Sequence, residues 1–412
     1  MDLKEAKQIA LSLAKRLDSE PVDLGSALGR VLAEPMPAGR DIPINARSKW
    51  DGFALWSRDC ESAGPEAPVL LEIAPGETAA GQKPAGALRG KSFRIMTGGV
   101  LPAGTDVVIP FEDAAPSGNC IVLRGPLRAG SGVIAPGSDA RRDDILLEEG
   151  DVLTPTRIAL AAAAGREVLR AIRRPRVAIL ATGDELQGSG RSDERASTFC
   201  NNTHLFGNLV RACGAEPVEL GVAPDDPEAI LSRLKKTEAD LVITTGGMGR
   251  GSRDFMREVW KRLGLKTHFE KLNLVPGKGS ALATGSGCIF LGLPGKPWAG
   301  RIVYEEIAAP MIRGFLGLGT RGSFSLGARS LGPMTKKKGV YQAFEGILEI
   351  KDGSCDFTPN TEAGGNRSGL SSLRRGLAYA LLEPQCTGVA QGETVQVKVP
   401  DFPLLTWAIL NS

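Results

Sequence analysis

Histidine is nearly missing from this chain. Two occur in 412 residues, His204 and His268, too few for a histidine-rich metal site. Cysteine is present but unpatterned. Cys60, Cys120, Cys200, Cys213, Cys288, Cys355 and Cys386 are odd in number and widely spaced, and no CxxC occurs. That argues against a zinc knuckle and against a disulfide framework, so a reducing setting is expected. Aromatic residues make up only 5% of the chain and the formal net charge is only +3. No basic run is interleaved with aromatics, so the chain has no footprint for nucleic acid. No apolar run approaches the roughly 20 residues that span a bilayer. The N-terminal MDLKEAKQIALSLAKRL also lacks the apolar core of a signal peptide. A cytoplasmic protein without membrane contact is expected.

What is present points to a globular protein of several domains. Hydrophobic residues form 42% of the chain and charged residues 24%, which is enough apolar material for a large core. A chain of this length exceeds one hydrophobic core, so two to four domains are expected. Ala6, Ile9, Ala10, Leu13 and Leu17 recur at helical spacing and predict an amphipathic helix over Leu3–Leu17. From about Ala33 to Asp139 the chain is rich in Pro and Gly, with short apolar runs such as Val69–Ile73 and Val107–Pro110. That stretch reads as β-rich. Thr154-Pro155 opens a helix running through Ala164, with Thr154 as cap.

Beyond Pro175 strands alternate with helices. Val177–Ala181, Val218–Val222 and Leu241–Thr245 read as strands. Helical patterns cover Asn202–Cys213, Pro227–Lys236, Phe255–Leu263 and Pro297–Leu316. Such alternation predicts βαβ units around a parallel sheet. After Arg321 short strand runs return at Tyr341–Leu348, Tyr379–Leu382 and Val395–Val399, so an all-β terminal domain is expected.

Two of the strands end alike. Val177–Leu186 (VAILATGDEL) and Leu241–Asp254 (LVITTGGMGRGSRD) each run from buried residues into Thr-Gly and then to carboxylates. Ligands of open α/β sheets bind beyond the carboxyl ends of the strands. Glycine there lets a ligand approach the backbone, and free N–H groups at a helix start favour phosphate. Neither turn is a Walker loop or a dinucleotide fingerprint. Asp184, Glu185 and Asp254 beside such turns fit Mg²⁺ held together with a substrate phosphate. They fit equally well as capping or first-turn acids, and the residues alone leave both readings open. Cys288–Pro297 (CIFLGLPGKP) and Leu274–Gly279 (LVPGKG) add two further rigid turns carrying Lys296 and Lys278.

Taken in order along the chain, these stretches resemble the MoeA/gephyrin-E family. The resemblance rests on SKWDGFA at 48–54, RIMTG at 94–98, Gly137-Ser-Asp139, ATGDEL at 181–186, TTGG at 244–247 with Asp254, PGK at 276–278, GLPGKP at 292–297 and SGLSSL at 368–373. It implies a multidomain α/β and β fold. A central three-layer α/β domain with a largely parallel sheet would span 175–317, and a β-rich insert 33–139. A helical linker region would be formed by 1–32 with 140–174, and a small C-terminal β-barrel by 318–412.

The resemblance also implies a molybdopterin molybdenumtransferase, which inserts molybdate into adenylylated molybdopterin with Mg²⁺ and releases AMP. Asp51, Asp139, Glu185 and Asp254 would be its catalytic acids, with Asp51, Glu185 and Asp254 on the metal. Thr97, Thr182, Gly183, Asp184, Asn202, Thr245, Gly246, Gly247, Lys278, Pro294, Lys296, Pro297, Ser368 and Ser371 would bind substrate. The family implies a homodimer with sites shared between subunits, and as partners a molybdopterin adenylyltransferase and the recipient molybdoenzymes. Molybdate and tungstate are both admissible oxyanions.

Several positions depart from the family pattern. Val275 stands where the first lysine of KPGKP is usual, and Glu345 where an arginine is usual. Met248-Gly249-Arg250-Gly251 replaces VSxG, Lys296 replaces the Asn of GNP, and Cys200 replaces an Asp. Losing two cations weakens an oxyanion site, while Arg250 and Lys296 are new cations at neighbouring turns. A second reading is therefore a MoeA-like paralogue that binds molybdopterin or acts as a scaffold.

Overall fold

The structure is a computed structural model. It describes residues 1–84, 86, 88–187, 198–247, 255–319, 324–351, 353–360 and 378–399. The chain divides into two compact units. One comprises Met1–Ala33, Gly150–Pro155 and Val168–Ser412, the other Glu34–Glu149 and Thr156–Glu167.

The N-terminal helix α1 (Leu3–Leu13) belongs to the first unit. Asp2 caps it by accepting from Lys4 N at 2.9 Å, and Leu3, Ala6 and Ala10 form its buried face.

The second unit is built on one six-stranded sheet. Its strands are β1 (Gly52–Leu55), β2 (Val69–Thr78), β3 (Lys91–Ile95), β4 (Val107–Pro110), β5 (Ala115–Ser117) and β6 (Cys120–Leu123), in the order β4-β1-β3-β2-β6-β5. Phe53, Leu55, Leu71, Ile109 and Ile121 form its main core, while Ala54, Phe93 and Val108 supply a smaller one. The alternation of neighbours Phe53/Ala54 and Val108/Ile109 between two cores follows from the period of two in a strand. Helix α2 (Pro155–Ala163) lies mainly in this unit.

In the first unit β7 (Arg176–Thr182), α3 (Asn202–Ala212), β8 (Glu216–Ala223), α4 (Pro227–Leu234), β9 (Leu241–Thr245) and α5 (Phe255–Arg262) alternate. They are followed by β10 (Lys266–Phe269), β11 (Ala281–Gly285), β12 (Cys288–Leu293), α6 (Pro297–Val303) and α7 (Ala309–Phe315). The sheet order is β8-β7-β9-β12-β11-β10. The first four strands are parallel, while β11 and β10 add an antiparallel edge.

Alternate residues of the strands feed opposite layers. Val177, Ile179 and Ile243 pack with Phe206 and Val210 of α3 and Ile302 of α6. Ala178, Leu180 and Val242 pack with Ile230 of α4 and Val259 and Trp260 of α5. That is the expected three-layer arrangement.

Two helices differ from the sequence pattern. The stretch expected as one helix over Pro297–Leu316 contains a π-helical turn, Tyr304–Ala308, between α6 and α7. Helix α1 stops at Leu13 rather than Leu17. The following backbone bonds elsewhere, Leu17 N donating to Phe315 O at 2.9 Å.

The terminal strands β13 (Ser325–Ser330), β14 (Tyr341–Lys351), β15 (Ser354–Pro359), β16 (Ala378–Leu382) and β17 (Thr394–Lys398) close on themselves in the order β14-β15-β13-β17-β16-β14. This is the small C-terminal barrel. It joins the α/β core through Glu306 in the π-turn, which is fully buried. Its carboxylate accepts from Lys7 Nζ of α1 at 2.6 Å, Lys398 Nζ of β17 at 2.5 Å and Tyr379 Oη of β16 at 2.7 Å.

Candidate active site

The register of the parallel strands sets the site. Ala181 lies beside Thr245, Thr245 beside Leu293, and Thr182 beside Ala223. Four strands therefore end at the same level, and their turns open one cavity of about 640 Å³ at the carboxyl edge of the sheet. It is lined by Thr182, Gly183, Glu185 and Leu186 after β7, and by Thr198–Asn202 at the start of α3. Asp225 after β8, Thr245–Gly247 after β9 and Gly295–Pro297 after β12 complete the lining among the described residues.

Hydrogen bonds tie these turns together. Thr182 Oγ1 donates to Thr245 O at 3.4 Å, and Asn202 Nδ2 donates to Thr245 Oγ1 at 3.2 Å and to Gly295 O at 2.8 Å. Asp184 is not among the lining residues; it accepts from the backbone N–H of Asp225 at 2.9 Å, tying the two loops to each other.

The glycines explain why both strands end in Thr-Gly. A Cβ on Gly246, whose φ is +96°, would lie 2.5 Å from Thr182 O. Only glycine lets these two strand ends approach so closely. A Cβ on Gly183 would lie 2.7 Å from Glu185 Oε2, so the absent methyl makes room for the Glu185 carboxylate to fold back over the turn.

Thr182, Gly183, Glu185, Asn202, Thr245, Gly246, Gly247, Lys296 and Pro297 are thus brought to one cavity. Lys278 and Pro294 are not among its lining residues. Lys278 is exposed and its carbonyl accepts from Leu272 N at 3.1 Å. Asp254, Ser368 and Ser371 lie outside the described residues, as does Arg250. Val275 is 37% exposed, on a short strand paired with β14, and does not line the cavity. Glu345 is buried in the barrel wall, where burial pushes its carboxyl above the usual range against the pull of Asn360 and Arg301.

The β-rich unit holds the other acids. Asp51 precedes β1 and Thr97 follows β3, and the pairing of Gly52 with Ile95 sets them side by side. Asp51 Oδ1 accepts from Thr97 N at 2.6 Å and from Thr97 Oγ1 at 2.8 Å. The Thr97 N–H, and then its hydroxyl, hold the Asp51 carboxyl below the usual carboxylate range. Asp139 is exposed, its backbone N–H bonded to Ile42 O at 2.9 Å.

Among the lining residues absent from the sequence-derived set are Asp225 and Phe199. Asp225 follows β8 in the same strand-then-acid pattern that marks Glu185, so the signal existed. Phe199 has no signal of its own. It reaches the cavity only because Thr198–Phe199 pairs in parallel with Leu186–Gln187.

The carboxylates of Glu185 and Asp225 are hard oxygen donors. Among the described residues no group of three or more acids, histidines or cysteines forms a cage. This donor set suits Mg²⁺, which takes one or two carboxylates and completes its shell with water and phosphate.

Known proteins agree with this architecture. Residues 1–165 match the family described as MoeA N-terminal region (domain I and II), and residues 178–314 match the probable molybdopterin binding domain. A molybdopterin molybdenumtransferase of Nostoc sp. is 32% identical over 409 residues, covering 96% of this chain and 93% of that protein. One from Bacillus subtilis is 29% identical over 404 residues, covering 95% and 92%. A crystal structure of the molybdopterin biosynthesis MoeA protein from Pyrococcus horikoshii superposes with a TM-score of 0.87 at 25% identity, covering 97% of this chain and 98% of that one. Among the described residues no helix is long and apolar enough to cross a membrane. With residues 1–165 and 178–314 matched and a relative of 32% identity aligned along nearly its whole length, the chain belongs to the MoeA family of molybdopterin molybdenumtransferases.

Proposed function

We propose that this protein acts in molybdenum cofactor biosynthesis, inserting molybdate into adenylylated molybdopterin with Mg²⁺ and releasing AMP. The carrying observation is the cavity at the carboxyl edge of the sheet, where Glu185 folds over Gly183 beside the Gly246-Gly247 turn. A phosphate-bearing substrate suits that turn, where Gly246 and Gly247, both at positive φ, carry no Cβ to keep a ligand from the backbone. Glu185 and Asp225 would hold the metal ion, which supplies charge neutralisation to the phosphates when bound. Asn202, anchored by two donated bonds, keeps the α3, β9 and β12 turns in a fixed relation and so orients the substrate. Asp254 belongs with the metal-binding acids, and Ser368 and Ser371 with substrate binding, on the family resemblance.

The Asp51–Thr97 pair and the cavity are built in separate units of the chain. We infer a cytoplasmic homodimer in which Asp51, Thr97 and Asp139 of one subunit serve the cavity of the other. A molybdopterin adenylyltransferase would supply its substrate and molybdoenzymes would take its product. Molybdate and tungstate are both candidates for the oxyanion.

The test is turnover of adenylylated molybdopterin on addition of Mg²⁺ with molybdate or tungstate, read as AMP release and metal incorporation. Glu185→Gln should lose roughly a hundredfold or more in rate while keeping its melting temperature. Near-parental turnover in that variant refutes the assignment. A parent that binds the substrate without turning it over returns the scaffold reading.

A further inference from the structure

Two side chains of the cavity are given no specific ligand atom in the proposed reaction. Lys296 is the one cation among its described lining residues, and it shares that lining with two carboxylates, Glu185 and Asp225. A dianionic phosphate entering beside two acids needs an opposing charge, and charge-assisted bonds are the strong ones. The backbone around Lys296 is stiff. Gly295 packs on Gly246, with a Cβ position 3.5 Å from Gly246 Cα, and Pro297 is the first residue of α6. Lys296 is the N-cap residue of that helix; its ammonium has donors only and cannot accept from the helix's first N–H groups, and the residue is exposed in the cavity lining.

Phe199 is the second. It lines the same cavity, yet the residue is 60% exposed. An aromatic ring left in water forgoes its burial energy. A ring lining a pocket recovers that energy when a flat ligand covers it. Its strand is short but paired, Gln187 lying beside Phe199, so the ring is carried on ordered backbone.

We propose that Phe199 and Lys296 divide the cavity by chemistry: Phe199 stacks on a planar heterocycle, and Lys296 binds the phosphate that the heterocycle carries. The ligand class is a phosphorylated planar heterocycle, either an adenylate or a pterin phosphate. This inference rests on the cavity being the substrate site.

The test separates ring from phosphate. Binding of AMP, 6-hydroxymethylpterin phosphate, adenosine and ribose 5-phosphate is measured by ligand-detected NMR, without molybdate, for the parent, Phe199→Ala, Lys296→Gln and Lys296→Arg. Both positions are exposed, so the variants should melt with the parent. Phe199→Ala should weaken the ring-bearing ligands about tenfold and leave ribose 5-phosphate unchanged. Lys296→Gln should weaken the phosphorylated ligands about tenfold, leave adenosine unchanged and flatten the salt dependence. Lys296→Arg should keep most of the affinity. Whichever phosphorylated heterocycle loses affinity in Phe199→Ala identifies the base as adenine or pterin. Parental affinities in both single variants overturn the division of roles while leaving the cavity as the site. A parent that binds neither AMP nor the pterin phosphate overturns the underlying reading as well.

Discussion

Replacing Glu306 with glutamine removes one negative charge from the junction of the α/β core, α1 and the barrel. In the parent, burial pushes the Glu306 carboxyl up, but Lys398 and Lys7 more than offset it and hold it at about 2, against an ordinary 4.5. That difference, at about 1.4 kcal/mol per pH unit, corresponds to about 3 kcal/mol. Removing one partner of a buried ion pair costs about 3–5 kcal/mol. The side chains of Lys7 and Lys398 keep 31% and 22% of their exposure, so both ammonium groups can relax toward water, which favours the lower end. Tyr379 Oη loses a charged acceptor and is fully buried, which works against that relief.

The effect has a pH signature. The folded value lies below the unfolded one, so the stabilisation is complete above about pH 4.5 and is lost as pH falls toward 2. Urea unfolding of the parent and Glu306→Gln, followed by intrinsic fluorescence to which Trp298 beside Tyr379 contributes, measures it. At pH 7 the variant should be about 3 kcal/mol less stable, and the gap should close as pH approaches 2. A gap that is the same at both pH values, or absent at pH 7, refutes the electrostatic account.

Other consequences are open to measurement. Gly246→Ala should destabilise the α/β core by roughly 1–3 kcal/mol and distort the cavity, because its φ is +96° and the new Cβ would meet Thr182 O at 2.5 Å; a thermal melt and ligand binding check both effects. Thr97→Val should raise the Asp51 carboxyl toward its ordinary range, since the Thr97 hydroxyl bond is lost while the backbone N–H bond remains; carbon NMR titration reads the change. Mixing Asp51→Ala with Glu185→Ala protein should restore part of the turnover if each site is shared between subunits. No recovery after demonstrated subunit exchange would place the whole site within one chain.

Much of the α/β core could be read locally. Leu241–Thr245 forms a strand over the residues that its apolar run marks, and α3, α4 and α5 lie within a residue or two of their periodic patterns. A strand or helix decides which of its side chains are buried by its own period, so the pattern is written in neighbouring residues. The family resemblance added the closed C-terminal barrel. Features that depend on distant partners were not legible in the same way. The antiparallel edge of β10 and β11 has little pattern to mark it, and the end of α1 is decided by the bond from Leu17 N to Phe315 O.

The site shows the same division. The sequence by itself determined that acids and glycine turns follow buried strands, because strand, turn and acid are contiguous in VAILATGDEL and LVITTGG. It could not determine which turns meet. Lys296 and Lys278 have equivalent settings in the sequence, each in a Pro-Gly-Lys turn. The tertiary structure brings Lys296 into the cavity lining and leaves Lys278 out of it, and it adds Asp225 and Phe199. The reason is register. The parallel pairing of β8, β7, β9 and β12 levels four strand ends that lie far apart in the chain. Those pairings are specified by packing across the whole sheet and not by any short run of residues.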